Sequence, residues 1–280
     1  MISISKLIEL ALEEDVFSGD ITSLTTVPAD AYGQGMVHMK ADGVISGVEV
    51  AREVFRQIDE RIQFTHLVMD GDIVTKGQTI ITLEGPLRSI LTGERVALNF
   101  MQRMSGIATK THTVTSLIQE FPTRVVDTRK TTPLLRILEK QAVRDGGGKN
   151  HRFGLYDAVM IKDNHIKAAG GITKAVRAAR QGIPHTMKIE VEVENFDQLR
   201  EAIESKCDII MLDNMSPSDM KLAVDRIAGR ALTEASGGIT EHNIIEVAQA
   251  GVDIISLGSL THTIESLDIS LDLFEKKNQE

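Results

Sequence analysis

Apolar residues in the first part of the chain recur at helical spacing and then in short alternating runs. The positions of Ile4, Leu7, Ile8 and Leu12 predict an amphipathic opening helix. The polar segment 18–23 that follows is typical of a loop. Short strands separated by glycine-containing turns then indicate a small sheet packed on helices as a sandwich. In order, the pattern predicts a strand at 34–41, a helix at 48–58, strands at 63–68, 73–74 and 79–83, and a helix at 86–119.

After residue 122, strand-length apolar runs alternate with helix-length amphipathic segments. The predicted strands lie at 124–128, 157–163, 188–194, 208–214, 232–236 and 253–258, with helices at 134–144, 172–181, 196–205, 217–228 and 240–250 and a final helical tail. Six such units predict a parallel sheet covered by helices. Because a complete barrel has eight units, an incomplete barrel and an open doubly wound sheet both fit. The absence of a G-x-G-x-x-G pattern after any strand disfavours dinucleotide binding.

The carboxyl end of every predicted strand carries polar residues or glycine. In either architecture ligands bind at this edge of the sheet, so we expect these residues to form an active site. In chain order the strand ends carry Thr128, Arg129 and Lys130; Lys162, Asp163, Asn164 and His165; Glu190, Glu192 and Glu194; Asp213 and Asn214; Glu234, Ser236, Gly237 and Gly238; and Gly258, with His262 just beyond.

Charge separates one segment from the rest of the chain. The whole chain has 31 Lys and Arg against 40 Asp and Glu, a net charge of −9, whereas segment 127–167 has nine basic and five acidic residues. A local basic segment in an acidic protein indicates a site for a small polyanion, since Arg and Lys supply charge-assisted donors to carboxylate and phosphate. Other polar positions are expected to form solvated helix faces. These are Arg136, Lys140 and Arg144 within the segment, and Glu94, Arg95, Gln102 and Arg103 before it.

Composition excludes several classes of protein. A net negative charge, no Trp and 4% aromatic residues argue against nucleic-acid binding. No apolar run approaches the length of about 20 residues that spans a bilayer, and the opening residues lack a basic segment before an apolar one. We therefore expect a soluble cytoplasmic protein. The single cysteine, Cys207, is expected to be buried, without a disulfide or thiolate metal cluster.

The strand ends divide into a cationic and an acidic half. Arg129, Lys130, His151, Arg152 and Lys162 suit several carboxylate or phosphate groups. The acidic half, Glu192 and Asp213, suggests Mg²⁺ bridging to phosphate oxygens, or stabilisation of an oxocarbenium-like sugar centre. Glu190, Glu192 and Glu194 share one strand face, and we expect Glu192, the middle one, to reach the site. The turns at 236–238 and 258–259 could bind phosphate through backbone N–H groups or be plain β-α turns.

The basic segment also contains a glycine run that resembles a P-loop and a lysine that could form a Schiff base. Gly146–Gly148 with Lys149 is not a P-loop, because Val143 and Asn150 occupy positions where that motif needs Gly and Ser or Thr. The glycines are better read as a bend that directs residues 150–152 at a ligand. Lys162 could instead be a Schiff-base lysine of the aldolase kind, if its pKa were lowered.

Recognisable motifs lie at 18–23, 93–95, 102–109, 127–131, 147–152, 161–165, 190–193, 212–214, 234–239 and 257–262. Through these motifs the chain resembles, nearly end to end, the quinolinate phosphoribosyltransferases, the carboxylating nicotinate-nucleotide pyrophosphorylases of NAD biosynthesis. One departure is Leu134, where the family usually has Gly, and we expect it to change the backbone freedom of this loop.

The resemblance implies a fold and a reaction. The fold would be an N-terminal α+β open-faced sandwich domain at 1–108, joined by the tail 268–280, and an incomplete six-stranded β/α barrel at 109–267 carrying the active site. The reaction would convert quinolinate and phosphoribosyl pyrophosphate, with Mg²⁺, into nicotinate mononucleotide, pyrophosphate and CO2. The assembly would be a homodimer in which Arg95 reaches the site of the partner subunit. This role differs from the solvated helix face that its spacing alone predicts.

The resemblance also implies roles for individual residues. Arg95, Arg129, His151, Arg152 and Lys162 would bind the quinolinate carboxylates. The phosphoribosyl pyrophosphate and its metal would face Lys130, Glu192, Asp213, Ser236, Gly237, Gly258 and His262, with Glu192 and Asp213 as metal ligands. Lys130, Lys162, Glu192 and Asp213 would be catalytic. Alternatives are the related pyrophosphorylase of molybdenum transport, which we expect to lack the complete 162–165 motif, and a non-catalytic barrel that binds small anions.

Overall fold

The computed structural model describes residues 2–274, which contain 11 helices and 12 strands. The elements are α1 (Ile4–Val16), α2 (Ile21–Thr26), β1 (Tyr32–Met39), β2 (Gly43–Val44), α3 (Val48–Ile58), β3 (Gln63–His66), β4 (Ile73–Val74), β5 (Thr79–Pro86), α4 (Leu87–Leu117), β6 (Arg124–Val126), α5 (Arg136–Asp145), β7 (Val159–Ile161), α6 (Asp163–Ala169), α7 (Ile172–Gly182), β8 (Ile189–Val193), α8 (Phe196–Glu204), β9 (Ile209–Asp213), α9 (Pro217–Ile227), β10 (Leu232–Ser236), α10 (Ile244–Gln249), β11 (Ile254–Ser256), α11 (Ser259–His262) and β12 (Ile269–Phe274).

The chain divides into two compact units. The sandwich unit comprises residues 2–112, 132–147 and 261–274, and the barrel unit comprises residues 113–131 and 148–260. The domain boundary expected at 108/109 stays a prediction.

The sandwich unit contains an antiparallel sheet of four strands in the order β12-β1-β5-β3. Side chains of alternate residues on β1 are buried, as expected when one face of a sheet is covered and the other is not. β12 pairs with β1 so that Leu271 lies opposite Val37, and on the other side of β1 Ile81 lies opposite Val37. Phe55 of α3 lies 6.1 Å, between ring centroids, from Phe64 of β3. These features match the open-faced sandwich expected from the sequence.

The barrel unit contains a parallel sheet of six strands in the order β6-β11-β10-β9-β8-β7. β7 to β11 are adjacent in chain order, while β6 pairs with β11 at the far edge. The first and second strands of the unit are therefore the two edges, which gives an incomplete barrel and confirms the predicted fold class. On β8, Ile189, Val191 and Val193 occupy one buried face, and Glu190 and Glu192 share the other.

Several predicted elements are wrong. Segment 18–23, expected as a loop, contains the start of α2, because Asp20 caps it by accepting the Ser23 N–H at 3.0 Å. α6 follows β7 without having been predicted. The helical tail is replaced by a short helix, α11, and a strand, β12. The last residues of the tail, 275–280, lie outside the described residues.

Two polar helix faces are less solvated than their spacing predicts. Lys140 on α5 is 1% exposed, so the expected solvated face is wrong at this residue. Arg103 on α4 donates through Nε (2.9 Å) and Nη2 (2.6 Å) to Oε1 of the buried Glu139, and through Nη2 to Thr132 Oγ1 (2.6 Å). An amphipathic pattern marks one apolar face, but it does not show when a charged neighbour is itself covered.

Two expectations about the whole chain concern burial and membranes. Cys207 is buried, as predicted, and Sγ lies 3.4 Å from Ala202 O. Among residues 2–274, every helix is too short or too polar to cross a membrane.

Candidate active site

The segment that precedes β7 is held against the end of β6 by a buried carboxylate. Asp127 Oδ1 accepts the His151 N–H at 2.8 Å, and its Oδ2 accepts from Asn150 Nδ2 at 2.5 Å. One residue earlier, Val126 of β6 pairs with Lys149 in a parallel bridge. The bend at Gly146–Gly148 therefore leads residues 149–151 alongside β6, which places the side chain of His151 within the barrel unit.

His151 contacts two buried carboxylates with one ring nitrogen. Its Nε2 lies 3.1 Å from Glu190 Oε2 and 3.4 Å from Glu234 Oε2, and its Nδ1 accepts the Arg152 N–H at 2.7 Å. Burial lowers the pKa of His151, but the two carboxylates outweigh burial and raise it to about 10. Because Nδ1 already accepts the Arg152 N–H, a second proton on the ring, at Nδ1, is disfavoured. In either charge state, Nε2 carries a proton.

Arg152 and Arg129 form the cationic side of the site. Arg152 Nη1 donates to Ala158 O at 3.0 Å, and its Nη2 lies 3.7 Å from Met160 Sδ. Burial lowers the pKa of Arg152, and repulsion from the Arg129 guanidinium lowers it further. The two guanidinium groups are thus close enough to repel each other. Such a pair is well suited to an anion with more than one acidic group.

The acidic side of the site joins Lys162, Glu192 and Asp213. Lys162 Nζ forms a short ion pair with Glu192 Oε2. Burial raises the pKa of Asp213, and repulsion from Glu192 raises it further, while Lys162 opposes the change. The pair of carboxylates expected from the sequence is therefore present at adjacent strands, with Lys162 beside it. Glu194, by contrast, is exposed, and its backbone N–H donates to Gln198 Oε1 at 2.7 Å.

The ends of β9 and β10 contact each other through Gly237. Asn214 donates from its backbone N to Ser236 O at 2.9 Å and from Nδ2 to Asp213 Oδ2 at 2.7 Å. Gly237 has φ +85°, and a Cβ there would lie 2.2 Å from Asn214 Oδ1. Gly237 is therefore required by its left-handed backbone and by the close approach of Asn214. This turn is more constrained than a plain β-α turn.

The remaining predicted site residues have varied positions. Lys130 is exposed, and its N–H donates to Thr128 Oγ1 at 3.0 Å, while Gly258, after β11, is half-buried. Arg95 and His262 belong to the sandwich unit and are exposed, with His262 Nδ1 2.7 Å from Thr263 Oγ1. The barrel unit contains the other predicted residues: Arg129, Lys130, His151, Arg152, Lys162, Glu192, Asp213, Ser236, Gly237 and Gly258.

Three carboxylates that were assigned no role from the sequence are buried close to these residues. Asp127 is fully buried, and Glu190 and Glu234 are 2% and 1% exposed. Signals for each were present: Asp127 directly precedes the Thr128–Lys130 strand end, Glu190 shares a face with Glu192, and Glu234 lies two residues before Ser236 on its strand. Selecting Glu192 as the middle of three glutamates left Glu190, the deeper one, without a role.

Two family models match the chain in succession. Residues 20–105 match the N-terminal domain of quinolinate phosphoribosyl transferase, and residues 107–272 match its C-terminal domain. A probable nicotinate-nucleotide pyrophosphorylase [carboxylating] of Bacillus subtilis is 44% identical over 272 residues, covering 97% of this chain and 94% of the relative. A quinolinate phosphoribosyltransferase [decarboxylating] of Nicotiana tabacum is 42% identical, covering 95% of this chain and 81% of the relative.

Solved structures agree with this assignment. The nicotinate-nucleotide pyrophosphorylase of Francisella tularensis superposes with a TM-score of 0.93 at 42% identity, covering 97% of this chain and 96% of that one. A human nicotinic acid phosphoribosyltransferase, at 11% identity and a TM-score of 0.65, shares the fold alone. From the two domain matches and the relatives above 40% identity, we conclude that this chain belongs to the quinolinate phosphoribosyltransferase family.

Proposed function

We propose that this chain transfers the phosphoribosyl group of phosphoribosyl pyrophosphate to quinolinate and decarboxylates the product. The products are nicotinate mononucleotide, pyrophosphate and CO2, and the reaction serves NAD biosynthesis. Membership of the family over both domains supports this function. The observation that carries it is that the barrel unit holds Lys162 in an ion pair with Glu192 and, on the same unit, His151 hydrogen-bonded to the Arg152 backbone. The expected cytoplasmic location stays a prediction.

The cationic side would bind quinolinate. Its two adjacent carboxylates need several donors, which Arg129, Arg152 and Lys162 would supply, with His151 holding the Arg152 backbone in place. Two guanidinium groups that repel each other gain from a dianion between them, because each charge is then offset. A monocarboxylate would leave part of this positive charge without a counter-charge. This difference favours quinolinate over nicotinate as the acceptor.

The acidic side would bind the phosphoribosyl group. Lys130, Ser236, Gly237, Gly258 and His262 would contact its phosphates, since lysine, histidine and backbone N–H groups at glycine turns all bind phosphate oxygens.

Glu192 and Asp213 fit a divalent cation, because burial and then repulsion from Glu192 raise the pKa of Asp213, and a cation would relieve that repulsion. These two residues would hold Mg²⁺, which when bound would neutralise charge on the pyrophosphate. Lys162, which pairs with Glu192, would then be released towards quinolinate.

The chemistry follows from the order of charges. The pyridine nitrogen donates its electron pair to C1 of the ribose while the C1–O bond to pyrophosphate breaks. The positive charge that develops on the sugar lies near Glu192 and Asp213, which stabilise it. The ring nitrogen is then cationic, and CO2 leaves while the electron pair of the C–CO2⁻ bond stays on the ring carbon, where the adjacent positive charge stabilises it. A proton replaces CO2 on the ring carbon, and Lys162 is the acid we assign to deliver it.

Incubation with quinolinate, phosphoribosyl pyrophosphate and Mg²⁺ tests the proposal. We expect nicotinate mononucleotide, pyrophosphate and CO2 in equal amounts. Quinolinate binding without pyrophosphate release would instead indicate a small-anion sensor. Trapping of Lys162 by borohydride with a sugar phosphate would revive the aldolase interpretation.

A homodimer that shares its sites is part of the proposal. Arg95 is exposed on α4, as required of a residue that reaches another subunit. Arg95→Ala should raise the KM for quinolinate, and so should Arg129→Ala. Mixing the two variants should restore part of the activity at low quinolinate concentration, because one site of each mixed dimer regains both arginines. No recovery in mixed dimers would show that the site is complete within one chain.

A further inference from the structure

We infer that Glu190 and Glu234 are positioning residues that hold the His151 ring, and through it the Arg152 backbone, in the orientation that binds quinolinate. The inference rests on the proposed function and assigns two residues to the quinolinate side of its site. Glu190 lies on β8 and Glu234 on β10, so the pair spans three adjacent strands, with β9 between them. His151 comes from the loop that precedes β7 and meets both carboxylates with Nε2.

The hydrogen bonds form a chain from the barrel interior to the cationic side. Nε2 contacts Glu190 and Glu234 at 3.1 and 3.4 Å, and Nδ1 accepts the Arg152 N–H at 2.7 Å. Rotation of the ring would break contacts at both ends. Because both ring nitrogens have protein partners, His151 acts on a bound anion through its position, since it fixes where the Arg152 side chain begins.

Burial of these two carboxylates is costly to the fold. Glu190 and Glu234 are almost wholly buried, and Oε1 of each has no hydrogen-bond partner within residues 2–274. A buried carboxylate oxygen without a partner lowers stability, so the cluster is poorly explained as a stabilising device. Such groups accumulate where ligand binding or catalysis requires them.

A histidine with two glutamates is also a donor set for a metal ion, and such an ion is the alternative to a hydrogen-bonded cluster. A metal would need the lone pair of Nε2. The Arg152 N–H points at Nδ1, which places the lone pair there and the proton on Nε2. The geometry therefore points to a hydrogen-bonded cluster.

The test uses Glu190→Gln and Glu234→Gln in the full-length protein, with Glu204→Gln as a control. Glu204 is exposed on α8, so its change removes one charge without touching the cluster. Glutamine keeps the shape of the side chain but cannot offer a charged acceptor to Nε2. We expect the Kd for quinolinate, by calorimetry, and the KM for quinolinate to rise on the order of tenfold in each cluster variant, which is what one charge-assisted hydrogen bond represents. The KM for phosphoribosyl pyrophosphate should stay within about twofold.

Stability and NMR separate positioning from a structural role. Thermal melting of the glutamine variants should stay at or above that of the unmodified protein, since a buried charge is removed. In ¹⁵N spectra, the His151 Nδ1 signal, assigned with His151→Asn, should change in both variants and stay unchanged in Glu204→Gln. Loss of stability with an unchanged quinolinate Kd would overturn the inference.

Three further outcomes separate the alternatives. If the unmodified protein binds one equivalent of Zn²⁺ or Mn²⁺ and Glu234→Gln loses it, the cluster is a metal centre and the inference is wrong. If the unmodified protein binds no quinolinate and forms no product, the proposed function fails. If it is active and the variants keep their quinolinate affinity, only the present inference fails.

Discussion

Replacing Gly237 by alanine tests whether the contact between the ends of β9 and β10 places Asp213. Gly237 has φ +85°, and the added Cβ would lie 2.2 Å from Asn214 Oδ1 and 3.0 Å from Asn214 N. Gly238 is a matched control, because its φ is +63° and a Cβ there meets nothing within 4 Å. Both variants place alanine in the left-handed region, and only the first collides with the site.

The structure allows the size of the effect to be worked out. A left-handed alanine costs about 1–2 kcal/mol in either variant, partly offset by a less flexible unfolded chain. Contact between carbon and oxygen needs roughly 3.3 Å, so Asn214 must move by about 1 Å. This movement strains the Asn214 Nδ2 hydrogen bond to Asp213, which at 2.7 Å is charge-assisted and contributes about 2 kcal/mol. If the transition state loses the same stabilisation, about 2 kcal/mol, the rate of phosphoribosyl transfer falls about 30-fold.

Urea unfolding and steady-state kinetics measure these quantities. Gly238→Ala should lose about 1–2 kcal/mol of unfolding free energy and keep its kinetic constants within about threefold. Gly237→Ala should lose about 2 kcal/mol more, and its kcat/KM for phosphoribosyl pyrophosphate should fall about 30-fold. Equal stability losses with unchanged kcat/KM in both variants would refute the role of this contact.

Three further predictions concern the sandwich unit. Leu134 has φ +69° and is 69% exposed, so Leu134→Gly should raise the free energy of unfolding by up to about 1 kcal/mol in urea and leave the kinetics unchanged. Burial raises the pKa of Asp70 to about 6. Between about pH 4 and 6 the folded chain therefore binds more protons than the unfolded chain, and the free energy of unfolding falls as the pH rises through this range. Asp70→Asn should be more stable than the unmodified protein above pH 6, and the difference should vanish near pH 4. Gly106→Ala places Cβ 2.1 Å from Glu265 O and should lower the melting temperature, whereas Gly182→Ala, with nothing within 4 Å, should leave it equal or higher.

Local patterns predicted much of the fold. The bounds predicted for α3, 48–58, are those of the structure, because a strongly amphipathic segment with clear ends needs little help from tertiary contacts. The β-α alternation was equally readable, since each short connection brings consecutive elements together. β12 was missed because its partner, β1, is more than 200 residues away in the chain, and no local pattern records such a pairing.

The candidate site shows the same division. Lys162 and Asp213 lie at the carboxyl ends of β7 and β9, as predicted, because strand ends can be read from short apolar runs. Their role in binding stays a prediction from the usual location of ligands at this edge of a parallel sheet. The positions of Glu190 and Glu234 near strand ends were visible in the sequence, but their role was not, since a buried carboxylate depends on the group that reaches it, here His151 from another loop. Lys140 was misassigned for the same reason. Charge spacing predicts a helix face, and tertiary packing decides whether that face is covered.

Leu134 keeps a backbone conformation that favours glycine, although its side chain departs from the glycine usual in the family. The resemblance identified a leucine at a position where the family usually has glycine, and the structure has that leucine in the left-handed region. The loop thus keeps a glycine-like conformation at an energetic cost that the Leu134→Gly variant measures.

A competition between quinolinate and nicotinate tests the central claim, that the cationic side of the barrel site recognises two adjacent carboxylates. Both acids are offered at equal concentration with phosphoribosyl pyrophosphate and Mg²⁺, and ring-labelled substrates show which acid enters the nucleotide. We expect label from quinolinate alone, with one CO2 released for each nucleotide formed. Equal incorporation of nicotinate, without CO2 release, would contradict the account.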